Sequence, residues 1–426
     1  MCRCWRSVVF QSPLRLNLQL LCTPTTRAKD TLDIWPPLPL IISDIRLFGV
    51  GSTALDNIIA ALERNDRVCK IHFYRTSSLE CDVTHSAAMQ KPFPELTNLI
   101  LIMSEDESWS KLPDSFLGGT TPRLRSLYLS NVSFPGLPNL FLSAIHLVDL
   151  SLHGIPRSGF ISPEKMATTL SALTSLQFLR LDFRHCRPRP ALESRHSPLQ
   201  SRSILPSLTK IKFKGLNEYL EEILARIDAP RLNHLHITFF SQIIFDTTQL
   251  CQFISRTPTL RAPKRGRITF NAKAVVVEFP SQTSDYKVLV QILCSASEWQ
   301  LSCLEQVCTS SLPLVSTLED LNIGEEGYTR WQDDVENILW LDVLRPFVDV
   351  KNLYISYNVV LRIAPALQEL VGGRTTEVLP TLENIFSESA MFQPSGSIHK
   401  GIERFVAARR LTSHPVAVSL WDGVVL

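Results

Sequence analysis

Glycine is scarce in this chain. Sixteen glycines against 62 leucines in 426 residues leave few places for the close backbone approach that a glycine-rich nucleotide-binding sheet needs. An excess of either charge is also missing. Lys and Arg total 43 and Asp and Glu total 41, a net +2, so no global field draws the protein to nucleic acid or an anionic membrane. Any basic site must be local. Long apolar runs are absent as well: the stretch 38–50 is broken by Asp44 and Arg46, far short of the roughly 18 residues of a membrane span. After Met1 to Phe10 come Gln11, Ser12, Pro13 and Arg15, which is no secretory core. A protein away from membranes, cytoplasmic or nuclear, is expected.

Chemical signatures are missing too. The ten cysteines contain no Cys-x-x-Cys pair, and no His is followed by Glu, so neither a zinc framework nor a His-Glu-x-x-His helix is present. No Ser sits in Gly-x-Ser-x-Gly. Gly49-Val50-Gly51-Ser52-Thr53 lacks the lysine of a phosphate loop and reads as a strand-to-helix turn. No catalytic residue, metal or cofactor is indicated, and a non-enzymatic protein is expected.

What the chain has is a repeat. The pattern Leu-x-x-Leu-x-Leu recurs at Leu96, Leu99, Leu101; at Leu124, Leu127, Leu129; at Leu147, Leu150, Leu152; and at Leu176, Leu179, Leu181. Variants follow at Leu208, Ile211, Phe213; Leu232, Leu235, Ile237; Leu318, Leu321, Ile323; and Val350, Leu353, Ile355, with an upstream copy at Val68, Ile71, Phe73. The better copies start 23 to 32 residues apart, which brackets the period of about 20 to 29 residues in leucine-rich repeats. Six copies open with Pro-x-Leu, at Pro94, Pro122, Pro206, Pro230, Pro258 and Pro380, each marking a return into a strand. Amphipathic spacing predicts helices over 53–64, from Ser162-Pro163-Glu164 to about Leu173, and over 217–227. Between Leu260 and Leu318 the period lapses; 267–279 reads as two short strands and 286–299 as a helix. The expected fold is α/β, a leucine-rich-repeat-like solenoid with parallel strands on one face and helices or irregular segments on the other. The solenoid is expected over 51–390, after a capping segment at 14–50. A cap at 391–426 holds a basic helix over 398–411 and a strand over 416–420.

Two edge motifs add a resemblance. Cys2-Arg3-Cys4-Trp5-Arg6-Ser7-Val8-Val9-Phe10-Gln11-Ser12-Pro13 resembles the last helix of an F-box, giving a remnant at 1–13, and Arg15 to Leu18 with Asp30 to Pro36 resembles the segment after it. Gly401 to Arg410, His414-Pro415-Val416 and Trp421 are similar to the far end of the same proteins, the fungal F-box/leucine-rich repeat family. The resemblance implies the substrate-recognition part of an F-box-type ubiquitin ligase subunit, with catalysis left to partners. Docking of a Skp-type adaptor and cullin is expected only if a complete F-box lies upstream. The alternative is a free-standing repeat scaffold with no ligase role.

Strand side chains alternate, so with the leucines inward the intervening residues line the opposite face. On that face Arg180, Lys210, Lys212, Lys214, His234 and His236 are expected to form one basic patch, with Tyr128 nearby. The imidazoles read as face residues rather than metal ligands. The partner expected is a protein segment, acidic or phosphorylated, with nucleic acid disfavoured by the absence of flanking basic charge.

Overall fold

A computed structural model describes residues 18–34, 37–43, 52–76, 83–103, 111–184, 202–242, 244–261, 263–280, 286–310, 312, 314–327, 336–372, 374–388 and 400–421. The F-box-like tail at 2–13 and the glycines of the 49–53 turn lie outside them. The chain divides into two compact units, 1–209 and 210–426.

In the first unit the strands run in chain order: β1 (Leu20–Cys22), β2 (Leu40–Ser43), β3 (Val68–Thr76), β4 (Asn98–Met103), β5 (Ser126–Ser130), β6 (Asp149–Ile155) and β7 (Phe178–Phe183). Every neighbouring pair is parallel. The repeat register appears directly in the pairing, with Ile71, Leu99, Leu127, Leu150 and Leu179 opposite one another in line. All five are buried, Leu127 and Leu150 at 0% exposure. A second ladder runs just ahead of the strands, from Thr97 N to Cys69 O, Arg125 N to Thr97 O, Val148 N to Arg125 O and Gln177 N to Val148 O. Each repeat is thereby hydrogen-bonded to its predecessor before its strand begins, so otherwise orphaned loop amides are satisfied.

The connections on the other side include α1 (Ser52–Leu62), α2 (Leu137–Ser143) and α3 (Pro163–Ser171). Ser162 caps α3 by accepting from Lys165 N at 3.3 Å, with Pro163 in the first turn. Elsewhere the connection shrinks to a single 3-10 turn, as at Ala87–Gln90. Gly154 ends the regular part of β6 at φ +59°, where a Cβ would fall 2.2 Å from Asn131 Oδ1; only glycine suits both the angle and the space.

The second unit begins with β8 (Lys210–Gly215) and β9 (His234–Phe239), parallel and in the expected register, joined through α4 (Asn217–Leu224). The order then reverses. Helix α5 (Thr248–Arg256) leads to β10 (Arg265–Asn271), which pairs with β11 (Ala274–Pro280) and, through it, β12 (Tyr286–Leu293), and β12 lies beside β9. The resulting order is β8, β9, β12, β11, β10, then β13 (Asp320–Glu325), β14 (Asn352–Ile355), β15 (Asn384–Glu388) and β16 (Ala417–Trp421). Among the described strands of this unit only β11 is antiparallel to its neighbours.

This corrects the helix expected over 286–299. The first part is strand β12, and the helix, α6 (Ser297–Ser310), starts after it. Val288, Val290 and Ile292 are fully buried and alternate with Lys287, Leu289 and Gln291. Their branched side chains suit a strand hydrogen-bonded on both edges. The helix expected over 217–227 stops at Leu224, and Ile227 is buried beyond it.

Helices α7 (Asn337–Leu344), α8 (Tyr357–Gln368) and the basic terminal helix α9 (Lys400–Leu411) complete the unit's outer side. Gly401 brings α9 hard against α8, since a Cβ there would lie 2.6 Å from Ala364 O. Arg409 is fully buried. It donates to the carbonyls of Thr375, Leu379, Pro380 and Leu382 at 3.0 to 3.3 Å. The expected α/β repeat, strands on one face and helices or irregular turns on the other, is thus observed in both units.

Candidate docking face

The face opposite the leucine row differs between the two units. In the first unit it is self-satisfied. His72 Nε2 lies 2.7 Å from Asn98 Oδ1 on the next strand. One row further, Ser130 Oγ lies 3.3 Å from His153 Nδ1, and His153 Nε2 lies 3.1 Å from Asp182 Oδ2. Arg180 donates to the same carboxylate oxygen at 3.2 Å.

Ser, His and Asp in this sequence invite a nucleophile reading, which burial removes: Ser130 is 4% exposed, too enclosed for a substrate carbonyl to approach its Oγ. The row is instead a polar network whose acid is shielded by its neighbours. Asp182, Ser130 and Ser151 stand on the intended face yet are buried at 4 to 6%. Ile102 and His153 stand on either side of Ser130, and Tyr128 and Arg180 on either side of Ser151, longer side chains flanking short ones. Arg180 lies in this unit with Asp182 against it. Tyr128 is half-buried on β5, opposite Ile100 and Ser151.

In the second unit the basic residues converge. The β8–β9 pairing sets Lys210 opposite His234, Lys212 opposite His236 and Lys214 opposite Thr238. All three lysines and both histidines are half-buried. Lys214 Nζ sits 5.7 Å from the centre of the Phe240 ring, a cation–π approach. Thr238 Oγ1 lies 3.4 Å from His236 Nε2 and donates to Gln291 Oε1 at 3.4 Å, tying β9 to β12.

Beside this pair β12 adds Lys287, one residue before Val288, which is opposite Leu235; Lys287 therefore follows His234 on the same row. Sequence reasoning missed Lys287 because it falls within 286–299, which reads as a helix. The available signal was the strict alternation of Val288, Val290 and Ile292.

The far end of the same unit is built differently. Asn352 donates to Asp320 Oδ1 at 2.7 Å and Asn384 donates to Asn352 Oδ1 at 2.8 Å, while Arg265 donates to Asp320 Oδ2 at 3.2 Å. This amide ladder fixes one row across β10, β13, β14 and β15. On the next row the Tyr354 and Phe386 rings stack with centres 4.6 Å apart, and Trp421 meets Tyr354 edge-on at 5.4 Å. Burial, with Asp320's charge behind it, pushes the Tyr354 phenol above its ordinary range, so it stays a neutral donor. None of these three aromatics is among the site residues that the sequence pattern indicates, because the alternation rule gives a side chain's face and not its ring partners.

Among the described residues no group of His, Cys, Asp and Glu could hold a metal ion, and no helix is long and apolar enough to cross a membrane. The six described cysteines are unbridged. Burial raises the Cys303 thiol to about 11, so it carries no thiolate at neutral pH.

No family model matches this chain. No curated protein matches it. Among solved structures, the leucine-rich repeat-containing protein LegL7 from Legionella pneumophila is similar over 93% of this chain and 98% of that one, with 11% identity and a TM-score of 0.26.

Proposed function

We propose that this protein is a non-catalytic interaction module that takes an acidic or phosphorylated segment of a partner protein on β8, β9 and β12. The observation that carries this is the register placing Lys210, Lys212 and Lys214 against His234 and His236, with Lys287 following on the next strand. Three strands spaced at about 4.8 Å put these groups within one side-chain reach of a carboxylate or phosphate cluster. Arg180, which belongs to the first unit and is paired there with Asp182, is not part of this site.

A role as the substrate-recognition part of an F-box-type ubiquitin ligase rests on the edge motifs alone, 2–13 and 401–421. The alternative, a scaffold without a ligase, has the same docking face and lacks the adaptor.

The test is capture of partners by the wild type and by a chain carrying Lys210→Glu, Lys212→Glu and Lys214→Glu, with folding of both checked by circular dichroism. Loss of a shared set of acidic or phosphorylated partners supports docking on this face. An unchanged partner set from the folded variant overturns it. Partners whose capture is abolished by nuclease would make the face a nucleic-acid site instead. A Skp-type adaptor in the wild-type capture would favour the ligase role over the scaffold.

A further inference from the structure

The second unit's face changes character from one end to the other, and the change is ordered. At β8, β9 and β12 it carries Lys210, Lys212, Lys214 and Lys287 with two histidines. Across β14, β15 and β16 it carries Tyr354, Phe386 and Trp421, with neutral amides on the adjoining row. The middle strands bear Glu278 opposite Arg267 and are close to balanced in charge.

We propose that the partner segment is bipartite: an acidic or phosphorylated cluster on β8, β9 and β12, followed across the strands by one large apolar side chain seated on Tyr354, Phe386 and Trp421. This rests on the docking face proposed above and specifies what that face selects. The three rings are half-buried and packed on one another, so a ligand side chain meets an ordered apolar surface with little rotamer freedom left to lose. No lysine or arginine shares the row positions of β14 to β16, so an acidic residue gains nothing there and an apolar one does. Charge therefore sets the direction in which the segment lies.

Distance sets its spacing. From β9 to β14 there are five strand steps, which at about 4.8 Å each make about 24 Å. An extended chain covers about 3.3 Å per residue, so about seven residues separate the acidic cluster from the apolar anchor.

The experiment uses the full chain and defined fluorescent peptides. Each has a cluster of phosphoserines or of glutamates at one end, a Gly-Ser spacer of variable length, and a tryptophan at the other; cluster-only and tryptophan-only peptides are controls. Anisotropy titration is expected to show cluster-only binding, at least tenfold tighter binding once the spacer is long enough to reach, at about seven residues or more, and loss of that gain at a spacer of two, which cannot span the distance. Tyr354→Ser with Phe386→Ser should erase the gain and leave cluster-only binding intact. Because the spacer series uses the wild type, it stands even if that variant fails to fold. A cluster-only peptide that binds, with no added affinity at any spacing, overturns the bipartite segment and leaves the basic face standing. No binding of either cluster peptide overturns both.

Discussion

Glu221 on α4 accepts hydrogen bonds from Gln249 N at 2.6 Å and from Leu250 N at 2.8 Å, so a side chain of one repeat caps the first turn of helix α5 in the next. Both oxygens are engaged by orphan amides of the helix's first turn.

That cap makes stability depend on pH. Burial outweighs the two N–H donors, with Asp246 adding repulsion, and raises the carboxyl from an ordinary 4.5 to about 7. Between those values the folded chain holds a proton that the unfolded chain has released. The contribution is therefore complete below about 4.5 and is lost as pH rises through 7. Its size is on the order of 3 kcal/mol. Glu221→Gln removes this titration. The difference in Tm between wild type and variant should move against the wild type from pH 5 to 7.5; parallel Tm profiles would show that Glu221 does not titrate there.

Leu127 and Lys212 test the register from its two sides. Leu127 is fully enclosed between Leu99 and Leu150, so Leu127→Ala should cost about 2 to 5 kcal/mol as a cavity in a packed layer. Lys212→Ala removes a half-exposed stem and should cost under about 1 kcal/mol. Denaturant midpoints measure both, and equal losses would contradict the assigned faces.

Arg409 holds the end of the second unit. Its guanidinium serves four carbonyls, one of them on Leu379, whose φ is +50°. Desolvation lowers its pKa. Arg409→Met leaves those buried carbonyls without donors and should cost about 3 kcal/mol or more. Arg409→Lys should recover only part of this, because one ammonium cannot reproduce the planar fork. Hydrogen exchange should rise first in 400–421 and in 374–388. Unchanged exchange there would rule out a role for Arg409 in fixing this end of the unit.

Gly401→Ala places a Cβ against the Ala364 carbonyl and must push α9 away from α8. A loss of about 1 to 3 kcal/mol is expected, accompanied by a change in tryptophan emission as β16 and Trp421 shift. A stable variant with an unaltered spectrum would show that the two helices are not in close contact.

Much of this was legible from leucine spacing. Leu99, Leu127, Leu150, Leu179 and Leu235 are buried in the strands that the pattern assigned, because parallel stacking requires each repeat to offer the same residues inward. The reversal was not legible. Val288, Leu289, Ile292 and Leu293 fit a helical stripe as well as the alternation of Val288, Val290 and Ile292 fits a strand, and pairing on both edges, a tertiary fact, decides between the two. Lys287 was lost from the candidate site with that strand. The pairing of Arg180 with Asp182 and His153 was hidden for a different reason: face alternation tells which way a side chain points and not which neighbour neutralises it.

The reversed segment also bears on how this fold can change length. A simple solenoid gains or loses a whole repeat by stacking one unit more or less, since each layer touches only its neighbours. Here β12 must lie beside β9 while β10 lies beside β13, so the chain passes over two strand positions on entering and again on leaving. Deleting β10 or β12 alone would set the antiparallel β11 against a strand of the regular repeats, and deleting β11 alone would leave β10 and β12 parallel but without the long crossover that parallel neighbours need. The pairing ties 265–293 into one block, so a repeat is gained or lost at least cost among the regular repeats outside it.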